Sequence, residues 1–229
     1  LTLDLDISNA VIKCMGEATG VIVADAKGGL GNYVYSLENT AGVEIMPGQP
    51  SGRFENLATG VYVVKVVSAD CDAVLKTVDI KEPATAIQAT FTPTPVSCFG
   101  EKNGKIVVTA SGGTGTIKYA ISPDLNQFDF TNTFEKLAAG KYTVIAQDQN
   151  GCYIVEEVEV KQPNPLIAAE VAGSMIPEIC SGDKDGEFKI EVKGGTAPYT
   201  ESLDNEKGIF NLVTGNIKEY IGLTRGKHI

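Results

Sequence analysis

Five cysteines, one histidine and a short run of alternating acids are the residues of this 229-residue chain whose types and spacing point to chemistry. The cysteines, Cys14, Cys71, Cys98, Cys152 and Cys180, include no C-x-x-C pair, so a zinc ribbon or a thioredoxin-type redox site has no material, and all five are disulfide candidates instead. His228 is the single histidine and stands next to the last residue. A histidine-dependent triad, a multi-histidine metal site and a histidine general base are therefore not expected. The stretch "SGDKDGEF" sets Asp183, Asp185 and Glu187 at alternate positions around Gly186, like the opening of a calcium loop. The later ligands of such a loop are missing, because Phe188 to Val192 read as strand, and the matching turns elsewhere are "GEATG" and "GEKNG". A solvated turn is the expectation over calcium. Gly29-x-Gly31 and Gly113-x-Gly115 lack the third glycine and following helix of a phosphate loop. No cofactor is expected, and no constellation for catalysis.

The elements that hold these residues come in repeats. Aligned on a cysteine, three blocks match without a gap: "KCMGEATGVIVADAKGGLGNYVYSL", "SCFGEKNGKIVVTASGGTGTIKYAI" and "ICSGDKDGEFKIEVKGGTAPYTESL". Cys14, Cys98 and Cys180 keep the same spacings as Gly28-Gly29, Gly112-Gly113 and Gly194-Gly195. Further along, "NLATGVYVVKVVSADC" matches "KLAAGKYTVIAQDQNGC", and "IKEPAT" matches "VKQPNP". The third block runs to "GLTRGKHI", where His228 takes the place of Tyr62 and Tyr142, and the strand after it is missing. The expected division is repeat 1 over 1–84, repeat 2 over 85–165 and repeat 3 over 166–229, the last cut before its final strands. The chain begins at Leu1 without an initiator methionine or signal-peptide pattern, and is read as an internal piece of a longer protein.

Within a repeat the periodicity is two. Phe188, Ile190 and Val192 alternate with Lys189, Glu191 and Lys193, which is the pattern of a strand with one buried face. A Gly-Gly turn and a tyrosine-bearing strand follow (Tyr33 and Tyr35, Tyr119, Tyr199), and glycine supplies the positive φ that tight hairpins need. The motif L-x-x-G-x-Y occurs at Leu57, Gly60, Tyr62 and at Leu137, Gly140, Tyr142. In immunoglobulin-like sandwiches a tyrosine at this place folds back to the preceding turn, and packing as ordinary core aromatics is the plainer role. Six or seven short strands per repeat predict an all-β chain of tandem immunoglobulin/fibronectin-like β-sandwiches, arranged as a rod on the order of 100 Å long. The acidic strand "EEVEVKQ" reads as the wet face of an outer strand.

A net charge of −10, spread along the chain, repels phosphate backbones and argues against nucleic acid as a partner. No apolar run approaches the roughly 18–20 residues of a membrane-spanning helix.

C-x-G before a strand, Gly-Gly, a tyrosine strand, L-x-x-G-x-Y and D-x-x-G-C closing on a proline linker resemble the SprB-type repeat, found in large surface adhesins of gliding Bacteroidetes. The second repeat matches most fully. The first departs at "SADC", where the second has Asp148 to Cys152. The resemblance implies export through type IX secretion to the cell surface, and a filamentous adhesin carried by the gliding machinery.

Two cysteine pairings compete. Each repeat could close on itself, Cys14 with Cys71 and Cys98 with Cys152, leaving Cys180 for a lost partner, which suits an oxidising, exported setting. Against that, a Greek-key sandwich puts the two cysteines at opposite poles, ~20 Å apart, whereas a disulfide needs Cα atoms within about 7 Å. Stacked repeats would instead let Cys14 reach Cys152. Free thiols are the third outcome.

Two function classes follow. One is a non-catalytic adhesin segment that attaches to a surface polysaccharide or substratum, touches neighbouring repeats and transmits force. The other is a spacer or carbohydrate-binding module of a secreted polysaccharide-degrading enzyme, disfavoured because the chain has no tryptophan and its tyrosines offer no platform for sugar rings.

Overall fold

The computed structural model describes residues 1–69, 72–204 and 210–228; among them every regular element is a strand. The first repeat contributes β1 (Thr2–Asp6), β2 (Gly20–Lys27), β3 (Tyr33–Glu38), β4 (Glu44–Gln49), β5 (Arg53–Leu57), β6 (Gly60–Ser68) and β7 (Val74–Ile80). They form one sheet ordered β1-β2-β5 and another ordered β4-β3-β6-β7, all pairs antiparallel. This is the two-sheet order of a fibronectin type III sandwich. Alternation explains it locally: Ile22, Ala24 and Ala26 on β2 and Val64, Val66 and Ser68 on β6 are buried at every second position. The inward faces meet in a core around Leu3, Ile22, Leu37, Phe54, Val64 and Ile80, each large side chain stabilising the fold by roughly 1.5–3 kcal/mol.

The second repeat contributes β8 (Gln88–Thr94), β9 (Gly104–Ser111), β10 (Lys118–Ile121), β11 (Thr133–Leu137), β12 (Gly140–Gln147) and β13 (Tyr153–Val160), in sheets β11-β9-β8 and β10-β12-β13. No counterpart of β4 occurs among its described residues. Instead, a turn closed by Asp124 N–H on Ile121 O leads to a single bridge between Tyr119 and Asp129. The third repeat supplies β14 (Ile167–Glu170), β15 (Gly186–Lys193), β16 (Tyr199–Glu201), β17 (Asn211–Val213) and β18 (Ile217–Leu223), in sheets β14-β15-β18 and β16-β17.

Backbone packing divides the chain into two compact units. The first comprises Leu1–Phe91, Val108–Asn132 and Thr143–Glu156; the second comprises Thr92–Val107, Thr133–Tyr142 and Glu157–Ile229. One glycine position recurs in all three repeats for a steric reason. A Cβ on Gly20, Gly104 or Gly186 would lie 2.9, 2.9 or 2.8 Å from the carbonyl oxygen of Leu57, Leu137 or Leu223, closer than real Cβ atoms approach. The ladder slips its register at this point in each repeat, a conserved β-bulge that lets the two strands come together.

Candidate functional site: a cysteine staple

Within the first compact unit, Cys14 and Cys152 are joined by a disulfide, with Cα atoms 5.6 Å apart and positions 138 residues apart in sequence. Each partner is held by its own loop. Cys14 follows Ile12, which is 1% exposed in the core and whose N–H donates to Lys81 O at 2.9 Å. Beyond it, Gly16 N–H donates to the Glu82 carboxylate at 2.7 Å, and Glu17 N–H donates to Cys14 O. The cysteine therefore sits in a turn tied at both sides to the end of β7.

Cys152 is aimed by Asp148. That side chain is 1% exposed; its Oδ1 accepts Cys152 N–H at 2.9 Å and its Oδ2 accepts Thr114 N–H at 2.8 Å. Gly151 N–H donates back to Asp148 O, and Gly151 adopts φ 94°, a conformation that favours glycine. One carboxylate thus ties the D-x-x-G-C turn to the Gly112-Gly113 loop. The two cysteine loops then meet: Asn150 Nδ2 donates to Lys13 O at 3.1 Å, and Gly113 N–H to Thr85 O at 3.1 Å. A crevice of about 430 Å³ lies beside the disulfide, lined by Met15, Glu17, Pro83, Ile87 and Tyr153 among others.

This overturns the pairing of Cys14 with Cys71 and of Cys98 with Cys152, since Cys14 and Cys152 hold each other. Strand polarity is the reason. In the first repeat Leu30 N–H donates to Ser68 Oγ, so the end of β6 lies at the Gly28 end of β2. Cys14 precedes the other end of that eight-residue strand, roughly 25 Å away at 3.3 Å per residue. Cys98 and Cys180 are exposed free thiols; Cys71 lies outside the described residues.

Leu57, Gly60 and Tyr62, and Leu137, Gly140 and Tyr142, build matching corners. Tyr62 O–H donates to Ala58 O and Tyr142 O–H to Ala138 O, both at 3.0 Å. His228 takes this place in the third repeat, its Nε2 lying 2.8 Å from Thr224 O and its Nδ1 2.6 Å from the Asp204 carboxylate. Asp204 first, then the Thr224 carbonyl, raises the His228 pKa.

Asp183, Asp185 and Glu187 are not brought into a ligand set. Asp185 Oδ1 instead accepts Ile179 N–H at 3.1 Å, and Glu187 pairs through its backbone with Ile176. Among the described residues no group of three or more histidine, cysteine or acidic side chains is placed to hold a metal. The acid that organises this loop is Glu178, whose carboxylate accepts N–H groups from Gly182, Lys184 and Arg225; the Lys184 and Arg225 bonds lead in lowering its pKa. Spacing did not single out Glu178 or Glu82. Glutamates abound on the surface, and only the fold shows which ones face backbone amides.

The chain is thus a set of immunoglobulin/fibronectin-like sandwiches with a cysteine link from the first repeat to the second, a class typically without catalysis. The SprB repeat family matches residues 12–42, 90–126 and 174–207, each segment spanning the first cysteine and the Gly-Gly turn of one repeat, which supports an SprB-type repeat region. Among solved structures it is similar to fibronectin(III)-like modules of Clostridium thermocellum CbhA, at 19% identity over 70% of this chain and 95% of that one, TM-score 0.36. It is also similar to a group of titin domains, at 14% identity over 97% and 88%, TM-score 0.31. A tetra-tandem repeat in the extending region of a large adhesion protein is 13% identical over 97% and 65%, TM-score 0.30. No curated protein matches the chain. No helix among the described residues is long and apolar enough to cross a membrane.

Proposed function

We propose that this chain is a non-catalytic repeat segment of a filamentous cell-surface adhesin, exported by type IX secretion, that holds a binding region away from the cell and transmits force during gliding. Its repeats span 1–84, 85–165 and 166–229, and it acts through the parent protein on a surface polysaccharide or substratum. The observation that carries this reading is the covalent link between Cys14 and Cys152 in a chain of three SprB repeats. A disulfide persists in an oxidising, extracytoplasmic setting, and a link that spans 138 residues resists extension more than it serves any reaction.

The test uses intact cells that make the parent protein. Antibody raised against the 229-residue fragment should label unpermeabilised cells, and external protease should remove the label together with attachment to glass. A label that appears only after permeabilisation would refute the surface assignment. Tight, selective sugar binding by the isolated fragment on a glycan array would replace the load-bearing role with that of a carbohydrate-binding module.

A further inference from the structure

The third repeat is open where the first two are closed. Among its described residues only Val192 and Val213 are buried apolar side chains, whereas Phe210, Leu212, Ile217 and Ile221 are each more than half exposed. In the other repeats the strand equivalent to β16 is flanked by the β6–β7 or β12–β13 hairpin; among the described residues β16 itself pairs only with β17. The last residues of those hairpins, Ile80 and Val160, are 0% and 1% exposed and pack on Gly20 and Gly104, whereas the three atoms nearest a Cβ on Gly186 all belong to Leu223. In that place the second compact unit has a cavity of about 590 Å³, lined by Met175, Ile176, Gly186, Phe188, Leu223 and His228.

At the other end of the missing hairpin stands a copy of the Cys14 seat. Val96 N–H donates to Lys161 O as Ile12 N–H does to Lys81 O, and Glu101 N–H to Cys98 O as Glu17 N–H does to Cys14 O. Gly100 N–H donates to Gln162 Oε1 at 3.1 Å, the position that Glu82 fills for Gly16. Gly195 N–H donates to Asn164 O as Gly113 N–H does to Thr85 O. The Ser97 carbonyl, equivalent to that of Lys13, accepts Thr196 O–H at 3.1 Å. The third repeat's Gly-Gly turn is therefore already docked on the Cys98 loop. What the Cys14 site has and this one lacks is a turn cysteine.

We propose that β16, the cavity over Gly186 and the Cys98 thiol together form the seat for one β-hairpin of the repeat's own closing sequence, from the strand that follows the Gly226-x-His228 corner through D-x-x-G-C to the final valine. Its first strand adds antiparallel to β16, with the Gln147 counterpart opposite Thr200 as Gln147 lies opposite Lys118. Its second strand fills the cavity with the counterpart of Val160, and its turn cysteine bonds Cys98. In this bond two thiols lose two electrons and two protons to a disulfide oxidant, which is reduced to its dithiol. The first cysteine of each repeat is thus linked to the second cysteine of the following repeat, and the exposed Cys180 takes the same place one step on.

The test uses the full chain, Cys14–Cys152 oxidised, in a Cys71→Ser background, and a synthetic peptide of residues 143–161, the part that follows the corner already supplied by Gly226 to His228, activated as the thiopyridyl disulfide of its cysteine. Attack by the Cys98 thiolate releases thiopyridone and leaves the mixed disulfide, read by absorbance and peptide mapping. Capture at Cys98 should exceed capture at Cys180, and capture of a scrambled peptide, at least tenfold. Equal labelling of the two thiols, or equal capture of the scrambled peptide, would overturn the proposal. The unactivated peptide carrying Cys152→Ser is the second readout, on a Cys98→Ser chain: amides 199–201 should gain protection from hydrogen exchange, and unchanged exchange there refutes the strand pairing without reference to thiol chemistry. Both results are independent of whether the parent protein is an adhesin.

Discussion

If Cys14 and Cys152 carry load, breaking their bond must release a fixed length of chain. The two residues are 138 apart in sequence and their Cα atoms 5.6 Å apart. At about 3.5 Å per extended residue, the staple withholds ~480 Å of contour length. A fragment stretched from its ends should therefore reach about 320 Å when oxidised and about 800 Å when reduced or when Cys14 is replaced by serine. The assay is single-molecule pulling between end handles, with and without a phosphine reductant. A gain near 190–200 Å would be the signature of closure within a repeat, Cys98 with Cys152 or Cys14 with Cys71, and would refute the geometry described above. No gain at all would refute the disulfide. In equilibrium unfolding, chain-entropy arguments put the loss of this closure at up to about 5 kcal/mol, so the serine variant should also unfold at lower denaturant.

Three further outcomes follow from named contacts. Asp148→Ala leaves the buried Cys152 N–H and the half-buried Thr114 N–H without their carboxylate; a loss of roughly 2–4 kcal/mol and slower reoxidation of Cys14 with Cys152 should appear in denaturant titration and thiol trapping. Phe54→Ala in the first core should cost about 3–5 kcal/mol by the same titration, with the strand content of the rest of the chain preserved by circular dichroism. Glu178 has its pKa lowered in the folded chain from an ordinary 4.5, so its support of the 178–185 loop is complete above that value and fades as pH falls through the lower folded one. Protection factors of the Gly182, Lys184 and Arg225 amides, exchange rates corrected for the intrinsic pH dependence, should fall on acidification below about pH 4.5, and Glu178→Gln should flatten that dependence.

Much of this architecture is readable in the chain itself because its signals are local. Ile22, Ala24 and Ala26 alternate with outward residues whatever they pack against, and the Gly-Gly turns and L-x-x-G-x-Y corners need no distant partner to be recognised. The repeat spacing also locates the thiols at equivalent places. Loss of the β4 counterpart was less legible, its only local signal being that "SPDLNQFDFTNTF" is four residues shorter than its partner "ENTAGVEIMPGQPSGRF" in the first repeat. Alignment put His228 at the place of Tyr62 and Tyr142, and its imidazole meets the carbonyl four residues back as those tyrosines meet theirs. Any side chain with a ring and a polar edge can fill that corner, so residue type alone did not reveal the role.

The amino-acid sequence by itself determined that this protein is a tandem all-β array, because strand period, turn glycines and repeat register are properties of neighbouring residues. Which sulfur meets which was decided only by tertiary structure. A disulfide requires two Cβ atoms to come within a few ångströms, and that distance depends on the pole of the sandwich to which each loop is carried. The eight-residue strand β2 separates the loops that sequence puts in the same repeat, while Asp148, Asn150 and the Lys13 carbonyl bring together loops that sequence holds 138 residues apart.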